Sequence, residues 1–501
     1  MANIGLQSVK GPSGVGRTEL EPGAIGLLGV VMQALTHVAP AAGAILTIQA
    51  IVLLVGPIAP LAFLIAGVIV VMLGISLTQL ARHLPSAGGY YTYVTDTLGP
   101  RWGFLTAWAY FLYDPIQGGM NLAFAGWITN TVLNLYYGIN VPWLWPAFVI
   151  VGSVGIALLM YTGIAITARV QVALGAFEIL VMMALALTGF IHPGAGGASM
   201  AVFNPGNIVK GGNLFLAIVF SIFAYTGFEA CVPLAEESKN PLKTIPTAIM
   251  ASIVIGVLFY IVVSWGVMSG WGLAHSDTLA SSVNNPVVVV TKQLWGGFSI
   301  LLVIVYINSV LGAVFAGNNA TTRVYFGMAR NHALPRVLSE VGKRHRTPNN
   351  AITLQAGLSL LIGLGASLIF GPDKQLFVIA TVITLSLILV YIAGNIGVIK
   401  YYLTVHRDEF NWFLHLAMPI ASSIALLIVF YYSVVPLPAY PVVLAPFIVG
   451  IWLLIGVGII FGVRRWGHAD WLDKVGSAMV AEVDASTFEE VPIGSEREPL
   501  S

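Results

Sequence analysis

Three carboxylic acids, Asp114, Glu178 and Glu229, fall inside long apolar runs of this chain with no lysine or arginine expected at matching depth. A charge held in hydrocarbon costs about 2.5–3.5 kcal/mol on insertion scales. Each acid therefore needs a proton, a cationic solute, a metal ion or simple protonation. Glu178 is a candidate proton acceptor or cation ligand; its plain alternative is a permanently protonated structural acid. Asp114 precedes Pro115, which frees a carbonyl nearby, so it is a candidate to face a solute. Glu229 follows Tyr225-Thr226-Gly227-Phe228 and is placed to cap freed N–H groups, a structural role. Histidine side chains can titrate near neutral pH, so His37 is a candidate to carry a coupling proton, against the commoner role of a packed histidine. Tyr225, Trp108 and Tyr113 can stack on an ammonium or simply fill a core.

The elements that must hold these residues are membrane helices. Charged residues make up 9% of the chain against 57% apolar, with mean hydropathy +0.89, whereas a soluble domain carries about 25% charged residues. Runs such as 59–81, 245–269, 353–370 and 440–463 hold no Asp, Glu, Lys or Arg. Each covers most or all of a hydrocarbon layer of about 30 Å as a helix. Strand-like alternation is absent, and helices satisfy their own backbone groups in lipid, so the expected fold is an all-α polytopic bundle. Spans are expected near 24–55, 59–81, 101–134, 143–162, 170–191, 213–235, 245–270, 297–329, 351–370, 376–402, 411–435 and 440–464. The first of these reads as a retained span and not a signal peptide.

Alternating the connections from the N-terminus puts on one side every lysine and arginine of the 22 except Lys210, Lys292 and Lys374. The positive-inside rule then makes both termini cytoplasmic, and a cell (plasma) membrane is the expected location. Four regions follow. Residues 1–23 form an N-terminal tail, 24–402 a ten-helix core, 403–464 two additional helices and 465–501 an acidic tail. The connection 271–296 is polar enough to be extracellular, with room for a short surface helix. Net charge is +1, which points to no nucleic acid or other charged partner beyond lipid. The single cysteine, Cys231, can form no disulfide within the chain. The nine histidines are scattered, with no His-x-x-x-His, Ser-His-Asp set or acidic metal pair at helical spacing. No enzyme, cofactor or metal is therefore expected.

Two spans carry helix breakers at mid-depth. The first holds Thr36-His37-Val38-Ala39-Pro40-Ala41-Ala42-Gly43, and the sixth holds Ala224-Tyr225-Thr226-Gly227-Phe228-Glu229 followed by Pro233. Each break alone fits an ordinary kink. Their offset of five spans, repeated by the long third and eighth spans, implies two five-helix repeats of inverted topology. In such a fold the freed N–H groups of a half-helix attract an anion, and the freed carbonyls bind a cation or ammonium.

Further motifs carry a resemblance. Phe223-Ala224-Tyr225-Thr226-Gly227-Phe228-Glu229 is followed by Ala235-Glu236-Glu237-Ser238-Lys239-Asn240-Pro241 and Ile245-Pro246. Pro85-Ser86-Ala87-Gly88-Gly89-Tyr90-Tyr91-Thr92-Tyr93 follows the second span. Asn318-Asn319-Ala320-Thr321-Thr322-Arg323-Val324-Tyr325-Phe326-Gly327-Met328-Ala329-Arg330 closes the eighth, with Leu334-Pro335 after it. Together they resemble the amino acid–polyamine–organocation permeases over about 24–402. The resemblance implies the leucine-transporter type of fold, alternating access and an amine-bearing solute; with the buried acids and no buried base, the leading expectation is a proton-coupled importer or exchanger of an amino acid or polyamine. It implies Ala41, Ala42 and Gly43 for a substrate carboxylate, and Tyr225, Thr226 and Gly227 for its amine, with Ala39 also at the substrate and Pro40 structural. Many relatives carry Gly-small-Gly in the first break, and Val38 to Gly43 stand in its place, which leaves room for a solute without a carboxylate. Glu178 falls where some relatives carry a lysine in place of a sodium ion. Glu236 and Glu237 either form an inner gate with basic residues or face solvent. A channel or a transporter-like sensor remains the alternative on the same fold.

Overall fold

The computed structural model describes residue 20 and residues 23–465, apart from 274–284, 331–332 and 343. Most of both expected tails, and the middle of the 271–296 connection, lie outside the described residues. Among those residues every regular element is helical, and the one β-type pairing is an isolated bridge between Ile25 and Ser238. Nine stretches among the described residues are long and apolar enough to cross a membrane, and Leu27–Ala81 contains two successive spans.

The first span is two helices, Leu27–Val38 and Pro40–Val55, and the second is Ala59–Ala81. A short helix, Tyr90–Leu98, leads into the third span, which is itself split into Pro100–Tyr110 and Asp114–Tyr137. Leu144–Met160 and Ile164–Ile191 follow. The sixth span is the helix Leu214–Tyr225 continued by a ten-residue 3-10 segment, Phe228–Glu237. Pro241–Trp271, Ile300–Arg330, Asn349–Phe370, Gln375–Thr404, Met418–Val434 and Leu444–Arg465 complete the bundle. Pro286–Trp295, in the connection expected to hold a surface helix, is helical, capped by the Asn285 side chain.

Connections of alternate parity meet at opposite ends, as straight crossings demand. At one end Gly194 N–H donates to Ser269 O at 2.9 Å and Asn213 N–H to Leu54 O at 3.0 Å. At the other, which gathers the basic residues, Ile25 N–H donates to Glu237 O and Lys239 N–H to Ile25 O at 3.0 and 2.9 Å. These two bonds tie the entry of the first span to the exit of the sixth. Arg323 completes the junction from the eighth span. Its Nε donates to Glu237 Oε2 at 2.9 Å and its Nη2 to Glu237 Oε1 at 3.3 Å, both side chains being 2% exposed. Next to it Arg330 forks onto Glu236 at 2.7 and 3.0 Å, and the same carboxylate accepts from Ala87 N–H at 3.0 Å. Both acids are thus paired. Arg323, expected outside the membrane, is instead a buried base, because the eighth helix runs on beneath the sixth span to Arg330.

Removing one member of a buried pair strands the other charge, at a cost of about 3–5 kcal/mol. Arg323→Ala should lower thermal stability in detergent by that order. Adding Glu237→Ala to it should recover part of the loss. A double variant no more stable than the single one would show that the pair is not the cause.

Candidate substrate and coupling site

Both expected breaks are present, and each is built by the residues that interrupt hydrogen bonding. Val38 ends the first half-helix, Ala39 adopts a left-handed conformation at φ 52°, and Pro40 opens the second half. A non-glycine residue at positive φ is uncommon and stores strain. In the sixth span the helix stops at Tyr225, Gly227 takes φ 115°, and the chain resumes as a 3-10 segment containing Pro233. Runs of 3-10 helix longer than three or four residues are unusual and mark hinges or strained sequence. A Cβ on Gly227 would stand 2.8 Å from Val38 N and 2.9 Å from the carbonyl carbon of His37. Glycine is therefore what lets the two breaks touch.

The donors freed at the start of the second half-helix are all taken. Ala41 N–H donates to Glu178 Oε2 of the fifth span at 3.2 Å. Ala42 N–H donates to the Ser309 hydroxyl of the eighth span at 3.0 Å, and Gly43 N–H to Ala39 O at 2.7 Å. Just before the break, Val38 O accepts from the Tyr260 hydroxyl at 3.0 Å. Glu178 is fully buried, and its second oxygen, Oε1, has no hydrogen-bond partner among the described residues. The helix end expected to receive a solute's carboxylate thus holds a carboxylate of the chain itself.

On the other side of the first break, His37 Nε2 lies 3.0 Å from Asp114 Oδ1, an ion-pair approach whose angle falls short of a hydrogen bond. Asp114 opens the second half of the third span, and its Oδ2 accepts from the Tyr110 hydroxyl at 2.6 Å. His37 stacks on Tyr113, with ring centroids 5.6 Å apart and planes 19° off parallel. Gly317 of the eighth span closes this nest: a Cβ there would sit 2.8 Å from His37 Nε2 and 3.3 Å from Asp114 Oδ1. Asp114 thus faces the first-span break, while Trp108 stacks on Trp452 of the last span and takes no part in it.

Glu229 receives Gly227 N–H on Oε2 at 3.2 Å and the Tyr391 hydroxyl on Oε1 at 3.1 Å. It ties the sixth-span break to the tenth span. Tyr225 points away from the break and donates to Phe63 O at 2.9 Å, and the Thr226 hydroxyl donates to Phe223 O at 2.7 Å. Their side chains serve the helix end, so a solute at this level would meet backbone and not hydroxyls. A recess with room for about one water, lined by Tyr110, Glu229, Gly89 and Tyr90, lies on the basic side of Glu229. The site is closed around its own groups.

The residues that reading the sequence passed over are Tyr110, Ser309, Tyr260, Gly317 and Tyr391. Tyr110 stands four residues before Asp114, across the turn that splits the third span, and its nearness in sequence left it open to inference. The other four reach the site from distant spans and leave no local signal.

Residues 29–472 match the family described as amino acid permease. The chain is similar to the branched-chain amino acid permease BcaP of Bacillus subtilis (strain 168), 28% identical over 62% of this chain and 67% of that one. It is similar to the amino-acid permease AapA of the same organism, 25% identical over 82% of this chain and 89% of that one. The lysine-specific permease LysP of Lactococcus lactis subsp. cremoris (strain MG1363) is 27% identical over 60% of this chain and 61% of that one. A bundle of apolar helices with two spans broken against each other and acids at the breaks is what this match falls on, and the chain belongs to the amino acid permease family of multi-pass membrane transporters.

Proposed function

We propose that the chain is a proton-coupled secondary transporter, a symporter or exchanger, that moves an amino acid across the cell membrane by alternating access. The reading keeps the topology expected from the loops, with both termini cytoplasmic. It also keeps an inverted pair of five-helix repeats spanning 24–402, with 403–464 appended. Relatives named as branched-chain, lysine-specific and general amino acid permeases support the solute class. A serine/threonine exchanger of Bacillus subtilis, 26% identical, supports exchange as a mode.

The observation that carries the coupling is the bond from Ala41 N–H to Glu178. A half-helix start is an anion site, since its N–H groups and the helix dipole point outward. An ionised Glu178 and a solute carboxylate compete for that start. Proton uptake by Glu178 removes the competitor, so carboxylate binding and protonation favour each other, and by linkage the coupling is reciprocal. Solute anion and proton then travel together. The amine is met by the carbonyls around Tyr225, Thr226 and Gly227 and by Asp114 across the break, once Asp114 leaves His37. His37 takes up the proton balance that this exchange requires.

Proteoliposomes with an imposed pH gradient test the scheme. Glu178→Gln should abolish gradient-driven accumulation while leaving exchange of internal for external solute in place. Unchanged accumulation would remove Glu178 from the coupling step. Asp114→Asn should raise KM for the solute about ten- to a hundredfold, the equivalent of the 1.5–3 kcal/mol of a charged hydrogen bond, and an unaltered KM would remove Asp114 from amine binding.

A second reading has one specific observation in its favour. Glu178 already fills the anion site, so a polyamine or other amine without a carboxylate would need to displace nothing. The same assay decides: uptake of putrescine but not of any amino acid would select it.

A further inference from the structure

At the basic end, away from the breaks, three potential ligand side chains converge from two distant segments. His83 follows the second span, and His406 and Glu409 belong to the connection between the tenth and eleventh spans. One donor atom from each lies within 4.8 Å of the other two. His83 Nε2 is 3.3 Å from Glu409 Oε2, and His406 Nδ1 is 3.5 Å from Glu409 Oε1. The two imidazoles are stacked at 4.3 Å between centroids, with 29° between planes. We infer that His83, His406 and Glu409 form a binding site for a zinc-class divalent transition-metal ion, which would clamp the end of the second span to the tenth–eleventh connection.

The donor set and its spacing support this. Two imidazole nitrogens and a carboxylate are the ligands of borderline metals, with bond lengths of about 2.0–2.2 Å. In a tetrahedron of such bonds neighbouring ligand atoms stand about 3.3 Å apart. The His83 contact to Glu409 Oε2 matches such an edge, and His406 meets the other carboxylate oxygen. One donor atom from each residue lies within 4.8 Å of the others, so a small rotation of the Glu409 carboxylate would complete the set. The backbone sets the carboxylate in place: Glu409 N–H donates to His406 O at 3.2 Å, closing a single 3-10 turn, and His406 N–H donates to Tyr401 O at 3.2 Å. His83 is fixed from the other side by its N–H to Leu80 O at 3.0 Å and by the rings of Tyr401 and Tyr402. All three side chains keep access to solvent, at 21%, 29% and 49% exposure, so an ion can enter and water can fill the fourth position. His415, nearby, is engaged elsewhere. Its Nδ1 accepts from Asn411 N–H at 3.0 Å, its Nε2 meets Gln79 Oε1 at 3.2 Å, and its ring stacks on Tyr402 at 3.5 Å.

The bland alternative is two imidazole N–H groups sharing one carboxylate, and direct metal binding separates the two. The full-length chain, purified without a histidine tag and dialysed against micromolar zinc, should retain one zinc per chain by elemental analysis. Zinc should raise its melting temperature saturably, by about 2 °C or more, and cobalt(II) should give the intense visible bands of tetrahedral coordination. His83→Gln, His406→Gln and Glu409→Gln should each weaken zinc binding at least tenfold, while His415→Gln leaves it unchanged. These ligands are partly exposed, so metal-free melting temperatures close to wild type should show that the variants fold. Retention of zinc by the His83→Gln/His406→Gln double variant, or pale octahedral cobalt spectra, would overturn the assignment.

Discussion

A backbone group released from a helix inside hydrocarbon has no water to turn to, and leaving it bare costs several kcal/mol. That constraint organises the centre of this protein. Breaking the first span at Ala39 releases donors, and the fifth, seventh and eighth spans each send one side chain to the break. Glu178 and Ser309 receive N–H groups, and Tyr260 donates to the carbonyl of Val38. Breaking the sixth span at Gly227 brings Glu229 back onto Gly227 N–H. None of these bonds belongs to regular helix, so on the proposed function each could be exchanged for a bond to a solute without unwinding anything further. The irregular backbone is tolerated because it lies inside the bundle.

Charge is handled differently at the two levels of the molecule. At the breaks, acids are matched by a histidine, by tyrosine hydroxyls and by backbone N–H groups, partners whose protonation or orientation can change. At the basic end they are matched by arginine, which keeps its charge at any accessible pH and forks onto carboxylates. Arg323 on Glu237 and Arg330 on Glu236 join the sixth and eighth spans there. The Ile25 and Lys239 backbone bonds add the first span to the same junction. Opening that end means separating these groups together.

The bundle was readable because apolar run length dictates it. Ala59–Ala81 and Asn349–Phe370 fall within two residues of the expected spans. The breaks were readable too, because Pro40 and Gly227 announce themselves in any helix. The third interruption was half visible: Pro115 marked it, but the turn sits ahead of the proline, at Phe111–Tyr113, where it presents Asp114 at a helix start. What could not be read was pairing across the bundle. Arg323 looked like a loop charge because it lies near the end of its helix, and only the packing of the eighth span under the sixth makes it a buried base. Glu178 was visible as an acid out of place, while its contact with Ala41 depends on the relative rotation of two helices, which side-chain periodicity does not fix. His83 and His406 are joined only by folding.

On the proposed function, the Glu178 contact bears on how the first break does without the Gly-small-Gly pattern of the resembled family. Glycines there allow a solute's carboxylate to lie directly against bare backbone. Here Ala41 and Ala42 carry methyl groups, and Pro40 contributes no N–H at all. The number of free donors falls, and the two that remain are spoken for by side chains. A site with fewer donors and a resident carboxylate binds an anion weakly until that carboxylate is neutralised. On the coupling proposed above, selectivity and proton dependence would rest on the same atoms. A change at Ala41 or Ala42 back to glycine would widen access to the backbone without removing the competitor, so it would alter which solutes fit more than it would alter their dependence on protons.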